Sequence, residues 1–574
     1  MLSSRLPSPD SLTLEEQVAQ MMVIRTTGHL FDHEVEYPQW EATSDELKRS
    51  LELGVGGIIL LGGSAAEVLF LTQQEQTLPI YPLLLAVVYD DGVCQVFIGA
   101  TWFAPPMALG GIAQKDLPLA LKLAEQMGAA TAQEATAIGL NWILAPVVDV
   151  NNNPANPVIN VRAFGEKAEN VAQLTSAFIK GTQARSYGDT TGDAKIEGSA
   201  VLTSAKHFPG HGDTAVDSHL RLPVVEHDFE RLQTLELVPF KQAITAGVDS
   251  IMTAHLQLPK LDPDYPSTFS KITLSGLLRR DLGFDGLIVT DALVMGGVTQ
   301  QYGPEEAAVL AVEAGADILL MPENVEAAIT AVCDAVKSER ISPEVILRAV
   351  ERIWRAKHKI ADLPVTHGLS RHAWQHQSVP AVQTQRIATT EIRELAEEIL
   401  RRSQHINIPP PQSLSQAISA PLIPGQNIVL VDDILHCPFL NRTAPAVTMP
   451  SAQGYTLELL DSRSADISKI STDITTDITT IVQLFIRGNP FKQSEGLSAI
   501  ATNIIQALGN NVQAVVIYGS PYVWQQIQPL LPEGTPCVFT YGQMKIAQAI
   551  ALQPLLAPQD SKIVTSAIDS TFTD

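Results

Sequence analysis

The sequence predicts an α/β fold, a (β/α)8 TIM-like barrel followed by a smaller C-terminal α/β sandwich domain, on three observations. Across about the first 360 residues, eight short β-branched apolar runs alternate with longer amphipathic segments, the pattern of repeated βα units. A proline-rich break at Pro409-Pro410-Pro411 interrupts that pattern, and four further apolar runs alternate with helical segments after it. The 574-residue chain is 45% hydrophobic and 17% charged, enough apolar material for a large core, which excludes wholesale disorder.

Taken in order, the eight runs span residues 21–25, 57–61, 83–88, 142–149, 201–208, 250–255, 287–291 and 317–321. Their near-continuous apolarity fits strands of a parallel sheet, covered on both faces. Thr13 and Glu16 have the spacing of a capping box opening a helix, and 117–137 reads as one long Ala-rich helix. The barrel is expected over 1–362, with catalytic groups at the C-terminal ends of its strands. Residues 363–426 read as a linker with one helix near 389–402. The second domain, 427–574, has apolar runs at 427–431, 480–485, 512–518 and 537–539, with helices near 496–508 and 541–552, and is expected to be an open α/β sheet. The near-repeat at 471–479 reads as a surface loop or edge, and the lone glycine turn Gly519-Ser520-Pro521 is weak evidence for a phosphate site.

Charge and cysteine usage narrow the function classes. Lys and Arg number 38 against 62 Asp and Glu, a formal charge of −24 that repels phosphate backbones and anionic membranes, so neither nucleic acid nor membrane is an expected partner. Cys94, Cys333, Cys437 and Cys537 are far apart, form no metal-ligand spacing and suggest no disulfide framework, which points to a reducing compartment. The first ten residues lack an apolar core of signal-peptide length, and the longest uncharged apolar stretch, 54–66, is too short and Gly-rich to span a bilayer. A soluble cytoplasmic protein is expected.

Two segments carry chemistry. The run Lys206-His207-Phe208-Pro209-Gly210-His211-Gly212-Asp213-Thr214-Ala215-Val216-Asp217-Ser218-His219 directly follows the fifth strand and gathers three His, two Asp and one Lys among glycines and proline. Two readings fit it. His207, His211, Asp213 and His219 have the donor types for a divalent metal, or Asp217 and His219 form a pair in which the carboxylate keeps the imidazole poised as acid or base. Asp291 ends the seventh run, where a nucleophile is held rigidly, but a strand-terminal Asp equally caps a following helix.

The run 206–219, the segment Asn156-Pro157-Val158-Ile159-Asn160-Val161-Arg162-Ala163-Phe164-Gly165 and the strand end Thr290-Asp291-Ala292-Leu293-Val294-Met295 together resemble glycoside hydrolase family 3, and within it the bacterial β-N-acetylhexosaminidase branch. The resemblance covers roughly residues 12–360 and implies a two-domain form. Carried over position by position, Asp291 matches the nucleophile that forms a covalent glycosyl-enzyme, His219 the general acid/base, and Asp217 its carboxylate partner. Arg162, Lys206 and His207 match residues binding the sugar. The chemistry is coherent, because retention needs a nucleophile and a proton donor on opposite sides of the glycosidic bond. Imidazole, with a pKa near ~6.5, serves as both acid and base at neutral pH. The resemblance displaces the metal reading and implies no metal and no cofactor. The implied activity is a retaining exo-glycosidase removing terminal β-linked N-acetylglucosamine in peptidoglycan turnover, with a small carbohydrate or muropeptide-type substrate as partner and no oligomeric state specified.

One departure stands out. At the end of the third strand the branch carries an Asp, and an Arg eight residues later, both hydrogen-bonding the sugar; here those positions are Val88 and Val96. Charge-assisted hydrogen bonds are each worth roughly 1.5–3 kcal/mol, so losing two weakens transition-state binding by several orders of magnitude unless another group compensates. Asp90 or Asp91 is the available compensating group, but strand alternation turns the neighbouring side chain elsewhere. The alternatives are therefore a β-glucosidase-like member, against which the intact Asp217-Ser218-His219 argues, a carbohydrate-binding homologue with little catalysis, and, last, a metal hydrolase.

Overall fold

All eight apolar runs of the N-terminal region form strands: β1 (Met22–Thr27), β2 (Gly57–Leu61), β3 (Leu84–Val87), β4 (Trp142–Ile143), β5 (Leu202–Phe208), β6 (Ser250–Thr253), β7 (Leu287–Val289) and β8 (Leu319–Leu320). The computed structural model describes residues 6–34, 37, 40–75, 81–88, 90–184, 201–218, 220–361, 384–408, 425–461, 478–488 and 494–556. The chain divides into two units, residues 1–103 with 113–395 and residues 104–112 with 396–574.

In the first unit the strands pair in the order β7-β6-β5-β4-β3-β2-β1-β8, and a bridge from Val289 to Ile318, next to β8, closes the ring. Nearly every strand residue is buried, as both faces of a parallel barrel require. Strand β4 is short because Pro146, which has no N–H, interrupts its run, and pairing resumes where Val147 bridges Lys206. Where the ring closes, the Asp317 carboxylate accepts from the amide of Ile288 at 2.8 Å, Arg279 at 2.5 Å and Arg352 at 3.1 Å.

The covering helices follow local signals. Thr13 and Glu16 form the expected capping box in both directions and open the helix Leu14–Gln20. The long helix spans Leu117–Ala137, with Asp116 accepting from the amide of Leu119 at 3.0 Å. Among the described residues no helix is long and apolar enough to cross a membrane.

The helix Pro343–Ala361 carries a titratable group in the core. Lys357 is fully buried; its Nζ donates to Gln20 Oε1 at 2.6 Å and lies 5.3 Å from the Trp354 ring centroid. Burial pushes its pKa down to about 7. An unfolded lysine titrates near ~10.4, so between those values the unfolded chain holds a proton that the folded chain lacks, and stability rises with pH. Relative to Lys357→Met, the parent is expected to gain roughly 3–5 kcal/mol between about pH 7 and 10.5. Urea unfolding of both chains across that range measures it; a pH-independent difference contradicts it.

In the second unit, β9 (His405–Asn407), β10 (Gln426–Val431), β11 (Thr456–Asp461), β12 (Thr480–Ile486), β13 (Val512–Gly519) and β14 (Cys537–Thr540) form one sheet in the order β11-β10-β12-β13-β14-β9. It is parallel except for β9, which runs antiparallel along β14. This is the open α/β sheet expected, extended at each edge by a strand the sequence reading did not single out. The stretch 363–426, read as a linker with one helix, holds among its described residues the helix Thr390–Ser403 and strand β9. Phe485 stacks on Tyr518 with ring centroids 4.2 Å apart, and the buried Tyr518 hydroxyl donates to Gln483 Oε1 at 2.8 Å. The near-repeat 471–479 lies outside the described residues apart from its last two positions.

Candidate active site

Strand β3 stops at Val87, and the chain then turns. Gln95 Oε1 accepts from the amides of Asp90 and Asp91, at 2.7 and 3.0 Å, which holds Asp90 in that turn. Asp90 Oδ2 accepts from Arg162 Nε at 2.6 Å, and Oδ1 lies 3.4 Å from Lys206 Nζ. Arg162 closes the short helical turn Asn160–Arg162, and Lys206 projects from β5; Lys206 and Asp90 are buried and Arg162 is largely so. Burial alone pushes the Asp90 carboxyl up, but the charges of Arg162 and Lys206, with the Arg162 hydrogen bond, outweigh it and hold that carboxyl well below the usual range.

One expectation is thereby corrected. Alternation along a strand was to turn Asp90 away, but there is no pleat at residue 90 because the strand has already ended. A carboxylate meets Arg162 and Lys206 although residue 88 is valine. Val88 itself is 37% exposed, and Val96 is half-buried.

A second carboxylate, Asp149, ends the fourth run and anchors the start of the 206–219 loop. It accepts from the amides of His207, at 3.2 Å, and His211, at 2.7 Å, and from His207 Nδ1 at 2.7 Å. A carboxylate only accepts, so His207 carries its proton on Nδ1. The chain here runs so close to Val150 that a Cβ at Gly212 would lie 1.7 Å from the Val150 oxygen, which admits only glycine. Asn156 Nδ2 donates to the carbonyls of His211 and Gly212, each at 2.9 Å.

Buried His211 braces the rest of the loop. Its Nε2 contacts Ser218 Oγ and its Nδ1 contacts Thr214 Oγ1, both at 2.9 Å. Burial, then the neighbouring His207, push its pKa down to about 4, so it is neutral at pH 7. Asp213 turns instead to His227 Nε2 at 3.1 Å and Arg231 at 3.5 Å. Of the donors of the metal reading, His207, His211 and Asp213 are thus engaged separately; among the described residues the one group with metal-binding spacing is His29, Glu34 and Glu67, elsewhere in the barrel.

Asp291 follows β7 and is half-buried. Its Oδ1 accepts from the amide of Ala292 at 2.8 Å, and its own amide donates to Thr253 Oγ1 at 3.3 Å. The next helix, Gly296–Tyr302, has Met295 at its N-cap, so Asp291 does not cap it. The carboxylate lies within electrostatic reach of Arg162, Lys206 and His211. Of the residues singled out by sequence, Arg162, Lys206, His207 and Asp291 therefore gather at the strand ends. Asp217 lies half-buried on the loop's far limb, its carbonyl accepting from the amides of Leu220 and Arg221. His219 lies outside the described residues. Sequence reasoning missed Asp149, for which a strand-terminal acid was the available signal, and misplaced Asp90.

Comparison with known proteins gives these features a context. Residues 13–356 match the glycosyl hydrolase family 3 N terminal domain, and residues 422–557 match the bacterial glycosyl hydrolase family 3 C-terminal domain. Beta-hexosaminidase A of Pseudoalteromonas piscicida is 34% identical over 338 residues, 53% of this chain and 54% of that one. A beta-hexosaminidase of Nitrosospira multiformis is 33% identical over 50% of this chain and 79% of its own. The chain thus spans about half the length of the first relative and most of the second. Among solved structures, a glycoside hydrolase family 3 beta-N-acetylglucosaminidase from Paenibacillus sp. str. FPU-7 superposes with a TM-score of 0.74 at 29% identity, over 96% of this chain and 98% of that one.

Proposed function

Since the chain belongs to glycosyl hydrolase family 3, we propose that it is a retaining exo-glycosidase that removes terminal β-linked N-acetylglucosamine, with Asp291 as nucleophile and His219 paired with Asp217 as acid/base. The observation that carries this reading is the gathering of Asp291 with Arg162, Lys206 and Asp90 where the barrel strands end. Asp291 attacks the anomeric carbon and forms a glycosyl ester as the aglycone oxygen takes the proton of His219; His219 then removes a proton from the water that hydrolyses the ester. Arg162 and Lys206 hold sugar hydroxyls, and His207, oriented by Asp149, offers its second ring nitrogen to the same sugar. The named activities of the relatives support the substrate, and cell-wall fragments released in peptidoglycan turnover are its source in this reading. None of the four cysteines forms a disulfide, which supports a reducing, cytoplasmic setting.

The test uses two substrates and one variant. Turnover of 4-nitrophenyl N-acetyl-β-glucosaminide is expected to exceed that of 4-nitrophenyl β-glucoside by at least about tenfold; equal or reversed rates sink the substrate assignment. His219→Ala is expected to lower kcat/KM on an N-acetylglucosamine disaccharide by about 10²- to 10⁴-fold, and far less on the nitrophenyl glycoside, whose leaving group needs little protonation. Equal losses on both place the acid elsewhere. A second reading, sugar binding with little turnover, draws on Val88 and Val96; calorimetric binding without product release is its signature, and Asp90 beside the two cations counts against it.

A further inference from the structure

Next to Asp291 stand three fully buried polar residues that the proposed chemistry does not use: Thr253 at the end of β6, His255 two residues on, and Thr268 in the helical turn Ser267–Phe269. Their contacts form a chain. The Asp291 amide donates to Thr253 Oγ1 at 3.3 Å; Thr253 Oγ1 lies 2.9 Å from Thr268 Oγ1; Thr268 Oγ1 lies 2.9 Å from His255 Nδ1; and His255 Nε2 lies 3.1 Å from the carbonyl of Ala292.

Proton counting gives the chain one direction when His255 is neutral. A carbonyl only accepts, so Nε2 bears the ring proton and Nδ1 is an acceptor. Thr268 has a single hydroxyl proton, which it shares between Nδ1 and the carbonyl of Ala254, 3.0 Å from its Oγ1. Thr253 must then donate to Thr268, and its remaining lone pairs receive the Asp291 amide. The bonds therefore run from the amide of Asp291 through Thr253, Thr268 and His255 to the carbonyl of Ala292, gripping the Asp291–Ala292 dipeptide from both ends. The amide of Ala292 in turn donates to Asp291 Oδ1 at 2.8 Å, so fixing this dipeptide fixes the carboxylate.

We infer that Thr253, Thr268 and His255 are positioning residues that set the attack geometry of Asp291. The inference rests on Asp291 being the nucleophile. A nucleophile misplaced by about 1 Å loses roughly two orders of magnitude in rate, whereas a fold-stabilising network changes stability alone. Near-isosteric removal of one hydroxyl, threonine to valine, breaks the chain with little change in the volume filled.

The experiment is steady-state kinetics on 4-nitrophenyl N-acetyl-β-glucosaminide with Thr268→Val, Thr268→Ser and Asp291→Ala in the full-length chain. Thr268→Val is expected to lower kcat by about 10- to 100-fold, with KM and the Kd for N-acetylglucosamine within about twofold and the acidic limb of the rate profile displaced to higher pH as the bond from Ala292 to Asp291 loosens. Thr268→Ser, which keeps the hydroxyl, recovers most of the loss. Should Thr268→Val not fold, Thr253→Val and Thr253→Ser supply the same comparison. An inactive Asp291→Ala alongside a Thr268→Val that keeps its kcat and acidic limb overturns the inference; an Asp291→Ala with undiminished turnover overturns the reading beneath it.

Discussion

Asp291→Ala is expected to lower kcat by about 10⁴-fold or more on 4-nitrophenyl N-acetyl-β-glucosaminide, while the chain stays folded. The reasoning is local. Asp291 sits two residues after β7, where buried neighbours fix its backbone, and it is half-buried within electrostatic reach of Arg162 and Lys206. Covalent catalysis through such a group splits one difficult displacement into two easier ones, and each tenfold loss corresponds to about 1.4 kcal/mol of barrier. The alanine leaves a gap open to small anions on the same side of the sugar. Added azide is therefore expected to restore part of the rate and to yield a glycosyl azide of inverted configuration, detected by NMR. Loss of activity without azide rescue, or rescue giving retained configuration, contradicts the nucleophile assignment.

The second large effect belongs to Asp90. Asp90→Asn keeps the shape but removes the charge that faces Arg162 at 2.6 Å and Lys206 at 3.4 Å, leaving these two cations close together. Breaking a buried ion pair from one side costs about 3–5 kcal/mol. Because the Asp90 carboxyl is held below the ordinary range, its contribution is fully present above the unfolded value near ~3.9 and declines as pH falls further. The variant is thus expected to be less stable than the parent at every pH above about 4, with the gap narrowing below it. Its kcat/KM is expected to fall by at least about 10²-fold, since both cations lose their orientation. Urea unfolding at pH 7 and pH 3 together with kinetics checks both; unchanged stability at pH 7 contradicts the buried pairing.

These residues also mark how far the sequence reached. The eight strands were legible because a parallel barrel buries both faces and so writes continuous apolar runs, and Thr13 with Glu16 was legible because a capping box is local. Lys206, His207 and Asp291 were legible because they sit at strand ends in a dense motif. Asp90 was not, since its orientation depends on where β3 stops, which adjacent side chains do not announce. The edge strand β11 was missed because its half-exposed residues, Leu457 and Leu459 among them, lack a buried signature, and three-residue β9 because it is too short to show a period. The tie between Asp213 and His227 spans fourteen positions and leaves no pattern at all.

That Asp90 rides on a turn rather than on a strand has a consequence for how such a site changes over time. An acid borne on a pleat can move only by whole two-residue steps, since a one-residue slip sends it to the opposite face. An acid borne on the turn between Val87 and Gly92 can be advanced, withdrawn or re-aimed by a single insertion or deletion, with the barrel left intact. Loop length, rather than side-chain exchange, is then the variable that decides which group meets Arg162 and Lys206 where the strands end.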